Sequence, residues 1–217
     1  MAALKLGVLI SGRGSNLQSL IDATLAAGYP AEIAVVIANV PGVHGLARAE
    51  AAGIPTKVID HKSYDGRAPF EEALHDALID ADVELVCLAG FMRLLTDGFV
   101  DRWSDRLINI HPSLLPAFKG LHTHDRVIEA GVKVAGCTIH FVRPAMDEGP
   151  IILQATVPVL QDDDADTLAA RILAQEHRIY PLAVRLIADG RVRVDGTRVA
   201  ITGTTPTEAG FISPCEN

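Results

Sequence analysis

The sequence is poor in cysteine, and the few it has exclude two common kinds of site. Cys87, Cys137 and Cys215 are widely spaced and odd in number. A disulfide framework needs pairs and a zinc site needs closely spaced thiols, so neither is predicted. We expect Cys87 and Cys137 to be buried thiols, because both lie in apolar, strand-like runs.

The sequence also lacks an excess of positive charge and any long apolar run. Its formal net charge is −8, whereas a general nucleic-acid binder needs a basic surface. No stretch approaches the roughly 18 apolar residues of a membrane span, and residues 6–10 are too short for a signal peptide. We therefore expect a cytoplasmic protein whose partners are small molecules, with neither nucleic acid nor membrane among them.

Short apolar runs, by contrast, are abundant. At 217 residues and 49% hydrophobic, the chain is long enough to bury a core in one domain. Runs rich in Val, Ile and Leu are typical of strands covered on both faces, and they lie at residues 6–10, 33–38, 56–59, 83–89 and 107–110. Helical spacing between them, as at Leu17, Leu20 and Ile21, predicts a βαβ series with a mostly parallel sheet.

The second half of the chain changes character. Long β-like runs at 134–142 and 151–159 predict an antiparallel extension of the sheet. A helix is expected to begin within 162–166 and to kink or break at Pro181, and a small hairpin should follow. The predicted architecture is a single-domain, Rossmann-like α/β fold with helices on both faces. This domain would span residues 1–201, and residues 202–217 would form a flexible tail.

A glycine-containing loop follows the first predicted strand. Gly14, Ser15 and Asn16 lie where the first helix should begin, so free amides and two polar side chains can donate to a phosphate. The loop lacks the third glycine of a dinucleotide fingerprint and the Gly-Lys-Ser/Thr of a P-loop. The alternative interpretation is a tight turn with a helix N-cap.

Asn109, His111 and Asp147 carry the most chemical information. Asn109 and His111 are two residues apart at a predicted strand end, so both project to one face and can meet at one reacting oxygen. Asp147 would orient His111 and favour an imidazolium that donates to an oxyanion, or it is a turn-forming aspartate. A lone strand-end histidine is often structural, and Ser113 lacks the Gly-x-Ser-x-Gly context of a hydrolase nucleophile.

Two further features leave alternatives open. His122 and His124 have no third ligand at metal-site spacing, so no metal is predicted. Residues 118–124 are expected to form a mobile active-site loop, with Gly120 supplying flexibility. Glu176 falls on the apolar face of a predicted helix, where a carboxylate needs a partner. It is either a structural ion-pair residue or a ligand for substrate hydroxyl or amino groups.

These segments together resemble the phosphoribosylglycinamide formyltransferases, a branch of the folate-dependent formyltransferase family. The resemblance covers residues 8–12, 89–93, 109–116, 120–124, 147–150 and 175–177. The Asn-x-His-Pro segment with the later Asp is similar across the wider family, whereas the loop at 14–16 and the short length select this branch. The resemblance implies formyl transfer from 10-formyltetrahydrofolate to the amine of glycinamide ribonucleotide, without a metal.

The resemblance also implies roles at the reacting centre and the folate site. Asn109 and His111 would stabilise the tetrahedral intermediate, while Asp147 would tune His111 and help to transfer protons. The folate site would include Arg67, Met92, Arg93, Leu94, Leu95, Asn109, Arg143, Pro144, Ala145, Met146 and Asp147.

The nucleotide side is implied by the same resemblance. Gly14, Ser15 and Asn16 would hold the phosphate, and Glu176 would hold the ribose or glycinamide end. Glu148 stands where the family has a small residue, so the resemblance gives it no role.

Two other formyl-folate enzymes are the nearest alternatives. A methionyl-tRNA formyltransferase normally has a C-terminal RNA-binding domain, and a formyltetrahydrofolate hydrolase has an N-terminal regulatory domain. We expect neither domain in 217 residues. A catalytically silent nucleotide-binding protein is disfavoured by the intact Asn109, His111 and Asp147 set. A monomer or a homodimer is expected.

Overall fold

A computed structural model describes residues 2–204 and 212–214. The strands are β1 (Leu4–Ile10), β2 (Ala31–Ala38), β3 (Thr56–Val58), β4 (Leu85–Leu88), β5 (Leu107–His111), β6 (Val134–Phe141), β7 (Ile151–Pro158), β8 (Val192–Asp195) and β9 (Arg198–Ile201). The helices are α1 (Ser15–Thr24), α2 (His44–Ala51), α3 (Arg67–Asp80), α4 (Asp97–Arg102), α5 (Thr123–Glu129) and α6 (Ala165–Ala188). None of these helices is long and apolar enough to cross a membrane. Most of the tail expected at 202–217 lies outside the described residues.

The main sheet has the order β3-β2-β1-β4-β5-β6-β7, and β8 and β9 form a separate hairpin. The first five strands of this order pair in parallel, whereas β6 and β7 pair antiparallel. The predicted mostly parallel sheet with an antiparallel extension is therefore confirmed. Because the chain places β2 and β4 on opposite sides of β1, a crevice forms at the carboxyl ends of β1 and β4.

Apolar side chains on alternate strand positions enter two different cores. Leu6 and Val8 of β1 belong to the cluster that includes α1 and α6, whereas Leu9 belongs to the cluster formed with α3 and α4. This alternation follows from the period of two in a strand, and it confirms that helices cover both faces. Cys87 and Cys137 are buried thiols, as predicted. Burial raises the pKa of each to about 12, which keeps both protonated at neutral pH.

Pro181 lies inside α6, which continues unbroken for 24 residues. Of the two outcomes predicted at this proline, the interruption is therefore wrong, and the kink stays a prediction. Tyr180 and Val184 are completely buried on either side of it, and the Tyr180 hydroxyl donates to the carbonyl of Leu88 at 3.0 Å. Proline in a helix interior costs about 3 kcal/mol, and the packing of these buried side chains outweighs that cost. Local propensity alone therefore misjudged this position.

The start of α6 is fastened to the end of β7 by a shielded ion pair. Arg171 donates to the two carboxylate oxygens of Asp163 at 2.6 and 2.8 Å and to the carbonyl of Pro158 at 3.0 Å. The Leu160 N–H donates to the same carboxylate at 2.8 Å, and the Asp163 side chain is only 3% exposed. The Arg171 hydrogen bonds are the main reason that the pKa of Asp163 falls to about 2.

We expect Asp163→Asn to lower the free energy of unfolding at pH 7 by about 1.5–3 kcal/mol, as is usual for hydrogen bonds to a charged group. Because the pKa of Asp163 is lower in the folded protein than in the unfolded chain, its contribution is complete above about pH 4 and is lost as pH falls toward 2. Urea unfolding from pH 7 downward measures both effects. Asp162→Asn, at an exposed neighbour, is the control, and an equal loss in both variants would contradict the assignment.

Candidate active site

The site is built where β1, β4 and β5 end, and Ser11 ties the first two of these ends together. The Ser11 N–H donates to the carbonyl of Gly90 at 3.1 Å. Its hydroxyl accepts from the Met92 N–H at 2.8 Å and donates to Asn39 Oδ1 at 2.6 Å. The segments that follow β1, β2 and β4 are therefore fixed to one another at the mouth of the crevice.

The loop between β1 and α1 presents the start of a helix. Gly14 stands at the N-cap with φ 70°, and no side chain caps the helix. A Cβ on Gly14 would lie 2.8 Å from the Cα of Gly45, so only glycine fits. Arg48 supports the loop from behind by donating to the carbonyl of Arg13 at 3.0 Å. Because no side chain caps the helix, the amides of the first turn, including those of Ser15 and Asn16, are available to an anion.

Asn16 and Glu176 meet although they are 160 residues apart. Asn16 Nδ2 donates to Glu176 Oε2 at 2.7 Å, and both residues are buried. Burial raises the pKa of Glu176, while the hydrogen bond from Asn16 opposes that rise. The partner of this carboxylate is an amide and not the cation that the ion-pair alternative required. Asn16 Oδ1 is also buried and has no hydrogen-bond partner.

His111 and Asp147 come together at the end of β5. His111 Nδ1 lies 3.5 Å from Asp147 Oδ2, and the two side chains are only 7% and 10% exposed. His111 Nε2 faces the carbonyl oxygen of Phe118 at 3.1 Å, and Asp147 Oδ2 also accepts from the Gly120 N–H at 2.9 Å. Both ring nitrogens therefore face oxygens that can only accept. In this arrangement, each ring nitrogen that carries a hydrogen has an oxygen to accept it.

The turn around Asp147 accounts for its position. Asp147 has φ 55°, in the left-handed region that aspartate tolerates better than most residues. Two residues later, a Cβ on Gly149 would lie 1.6 Å from the carbonyl oxygen of Phe141. The turn-forming and site interpretations of Asp147 are thus compatible, because the turn is what directs the carboxylate toward His111.

His140 lies beside Asn109 and was not predicted from the sequence. It lies opposite Asn109 in the β5–β6 register, and Asn109 Nδ2 is 3.4 Å from His140 Nε2. Because His140 Nδ1 faces the carbonyl of Phe141 at 2.9 Å, Nδ1 carries the proton and Nε2 accepts from Asn109. Burial lowers the pKa of His140, which keeps the ring neutral. The signal in the sequence is a polar residue within the apolar run 134–142.

The segment after His111 is shaped by β6. Thr138 donates to the carbonyl of Ser113 at 2.7 Å and accepts from the Leu115 N–H at 3.1 Å. The Ser113 hydroxyl donates to the carbonyl of Ala117 at 2.7 Å, and Ser113 is 1% exposed. This hydroxyl is engaged and buried, so the structure gives no support to a serine nucleophile.

The residues that the resemblance assigns to the folate site differ in how exposed they are. Met92, Leu94 and Met146 are 70%, 58% and 51% exposed, so these apolar side chains are open to solvent. Leu95 packs partly into the core beside α3 and α4. Pro144 and Ala145 are exposed in the loop between β6 and β7, and Arg93 is half-buried.

Two arginines of the expected folate set differ in their surroundings. Arg143 is engaged, because it donates to Asp105 Oδ1 at 2.5 Å and to the carbonyl of Val142 at 3.0 Å. Arg67 is exposed at the start of α3. The roles assigned to both residues stay predictions.

The two histidines of the 118–124 segment have different environments. The His122 side chain is 81% exposed, whereas burial is the main cause that lowers the pKa of His124, and the proximity of His111 lowers it further. Among residues 2–204 and 212–214, no group of three His, Cys, Asp or Glu side chains is arranged to hold a metal ion. The expected loop is shorter than predicted, because α5 begins at Thr123, and its mobility stays a prediction.

Known proteins are similar in sequence to this chain over most of its length. The trifunctional purine biosynthetic protein adenosine-3 of Gallus gallus is 51% identical over 191 residues, which are 88% of this chain and 19% of that protein. The phosphoribosylglycinamide formyltransferase of Haemophilus influenzae is 41% identical over 207 residues, which are 95% of this chain and 98% of that protein. This chain therefore spans about a fifth of the first relative and nearly all of the second.

Solved structures share the fold. Glycinamide ribonucleotide transformylase 1 from Symbiobacterium toebii superposes with a TM-score of 0.90 at 50% identity, over 92% of this chain and 94% of that chain. A formyltetrahydrofolate deformylase from Burkholderia mallei superposes with a TM-score of 0.84 at 30% identity, over 92% and 70%. The formyl transferase family itself matches residues 4–184. Since that match includes the loop at Gly14, the Asn109, His111 and Asp147 group and the Glu176 carboxylate, the chain belongs to the formyl transferase family.

Proposed function

We propose that this protein transfers a formyl group from 10-formyltetrahydrofolate to the amine of glycinamide ribonucleotide, a step of purine biosynthesis. The observation that carries this proposal is the placement of His111 and Asp147, 3.5 Å apart and shielded from solvent, on the same sheet edge as an uncapped helix start. The first group suits acyl-transfer chemistry, and the second suits a phosphate. The cytoplasmic location and the monomeric or homodimeric state stay predictions of the sequence.

In this mechanism the amine of the nucleotide attacks the formyl carbon. The carbonyl oxygen becomes an oxyanion, and it accepts hydrogen bonds from the Asn109 amide and from the Nε2–H of the His111 imidazolium, which exchanges the Phe118 carbonyl for this oxygen. Asn109 is oriented for this by His140, which occupies one of its two amide hydrogens. Asp147 balances the charge on His111 and accepts a proton from the attacking amine. The tetrahedral adduct then collapses: the proton that Asp147 accepted passes to the N10 nitrogen, the bond between carbon and N10 breaks, and tetrahydrofolate leaves.

The two ligands would approach from different sides. The first-turn amides of α1, from Ser15 and Asn16, would bind the phosphate, and Glu176 would bind the ribose hydroxyls or the glycinamide end. The exposed apolar side chains of Met92, Leu94 and Met146 would line the folate. All the groups offered are hydrogen-bond donors, acceptors or apolar surfaces, so the proposal requires no metal.

Hydrolysis of the same formyl donor is the competing function, since the deformylase is a structural relative. The same Asn109, His111 and Asp147 group would serve water as the acceptor. Water, however, needs neither a phosphate loop nor the buried pair of Asn16 and Glu176. These two features therefore favour a phosphorylated amine as the acceptor.

We expect the purified protein to formylate glycinamide ribonucleotide and to do so unchanged in the presence of a chelator. Product formation with the nucleotide, with water alone and with methionyl-tRNA as acceptor measures the preference directly. Preferential release of formate would indicate a hydrolase, and activity that is lost with chelator and restored by zinc would contradict a metal-free site.

We expect Glu176→Gln to raise KM for the nucleotide by roughly tenfold or more, the usual effect of losing hydrogen bonds to a charged group, with KM for the folate unchanged. Because burial raises the pKa of Glu176, wild-type affinity for the nucleotide should fall as pH drops through that raised value, and the variant should not share this fall. Glu72→Gln, at an exposed carboxylate, is the control. An altered folate KM with a normal nucleotide KM would place Glu176 at the other ligand.

We expect Asp147→Asn to lower kcat by on the order of a hundredfold, because the amide retains the Gly120 hydrogen bond but cannot balance charge or accept a proton. Single-turnover formyl transfer and thermal unfolding measure rate and stability. Asp82→Asn is a matched control, since Asp82 also has a left-handed backbone, with φ 52°, and also faces a cation, Lys5 at 3.1 Å. A near-normal rate in Asp147→Asn would reduce Asp147 to a turn residue.

A further inference from the structure

Two short segments, residues 118–120 and the turn at 147–148, lie on either side of His111, and they contact each other at more than one point. Phe118, Lys119 and Gly120 are consecutive, and each has a different partner. The Phe118 carbonyl faces His111 Nε2 at 3.1 Å, and the Gly120 N–H donates to Asp147 at 2.9 Å. His111 is thereby enclosed between the segment 118–120 and the turn that carries Asp147.

The side chain of Lys119 makes the remaining contact. Lys119 Nζ donates to Glu148 Oε1 at 2.7 Å, with the two side chains 32% and 55% exposed. The carbonyl of Lys119 accepts from Arg126 Nη1 at 2.5 Å, which holds the same residue from the side of α5. Lys119 and Glu148 are the immediate neighbours of Gly120 and Asp147, so their ion pair lies next to the bond that orients the catalytic carboxylate.

We propose that Lys119 and Glu148 are positioning residues. Their ion pair keeps the segment 118–120 against the turn at 147–148, and this contact holds the Asp147 carboxylate beside His111. Neither side chain needs to touch substrate for this role. An exposed ion pair is weak by itself, but this one joins two loops that are otherwise connected by few bonds. A small change in how often the loops are closed then changes how often Asp147 faces His111. The effect on rate rests on the proposed function, whereas the effect on loop closure does not.

The kinetic test uses neutral and charge-swapped variants. Glu148→Gln and Lys119→Gln should each lower kcat roughly two- to fivefold, the range expected for an exposed pair, with KM for the nucleotide unchanged. The double neutral variant should be no slower than either single variant, because both remove the same bond. The exchange Lys119→Glu with Glu148→Lys should recover most of the wild-type rate, whereas each single reversal should be slower than the neutral variants.

The control is an ion pair of the same geometry outside the site. Glu72 and Arg102 join α3 to α4 at 2.7 Å, and the Glu72 side chain is 54% exposed. Glu72→Gln therefore removes a matched pair and should leave kcat unchanged. Equal effects of Glu72→Gln and Glu148→Gln would overturn the proposal, and so would a charge exchange that is no faster than the single reversals.

Amide hydrogen exchange of Gly120, followed by NMR, tests loop closure without any substrate. Its N–H is bonded to Asp147, so Glu148→Gln should accelerate its exchange severalfold, whereas Glu72→Gln should not. Unchanged Gly120 exchange in Glu148→Gln would overturn the proposal even if the rate fell. If the wild-type protein does not formylate the nucleotide, the proposed function fails, and this measurement still decides the role of the ion pair.

Discussion

The carboxylate of Asp147 connects parts of the site that come from distant stretches of the chain. One oxygen accepts from Gly120 and lies 3.5 Å from His111, and the other lies 3.9 Å from His140. The strand ends supply the two histidines, while a left-handed turn supplies the carboxylate. If this turn relaxed, His111 would keep its place on β5 but would lose its neighbouring carboxylate.

The groups proposed to bind the nucleotide and the carboxylate proposed to react are carried by different kinds of structure. Ser11 joins the end of β1 to the segment after β4 through two hydrogen bonds and to the segment after β2 through a third, and Tyr180 fixes α6 to β4. The groups proposed for the nucleotide are thus presented by elements packed into the core. The Asp147 carboxylate, which the proposed mechanism uses, is instead carried by a loop. Such a division suits a reaction in which one ligand must be held accurately while the other enters and leaves.

The fold was largely predictable from the sequence, because apolar periodicity is local information. The apolar run at residues 33–38 predicted β2. The acidic stretch at 162–166 predicted the start of α6, and Asp164 caps that helix. Pro181 was misjudged because burial of Tyr180 and Val184 is tertiary information that overrides propensity. His140 was missed for a related reason: its partner Asn109 is set by strand register, which a single sequence does not state.

Motif positions gave the site in outline but not its internal contacts. His111 and Asp147 were both singled out, yet nothing in the sequence places Lys119 beside Glu148, since that pairing depends on how two irregular loops meet.

The bond between Asn16 and Glu176 has a consequence for how the protein is made. Residue 16 leaves the ribosome early, but its partner lies 160 residues later, on a helix that packs against α1, β6 and β7. Contacts so distant in sequence require a long loop to close before they form, which slows folding. A nascent chain that has completed β1 and α1 therefore holds only half of the pair, and it can acquire the other half only after α6 has been synthesised and docked. Any ligand that requires both residues binds the finished fold alone and stabilises it by mass action.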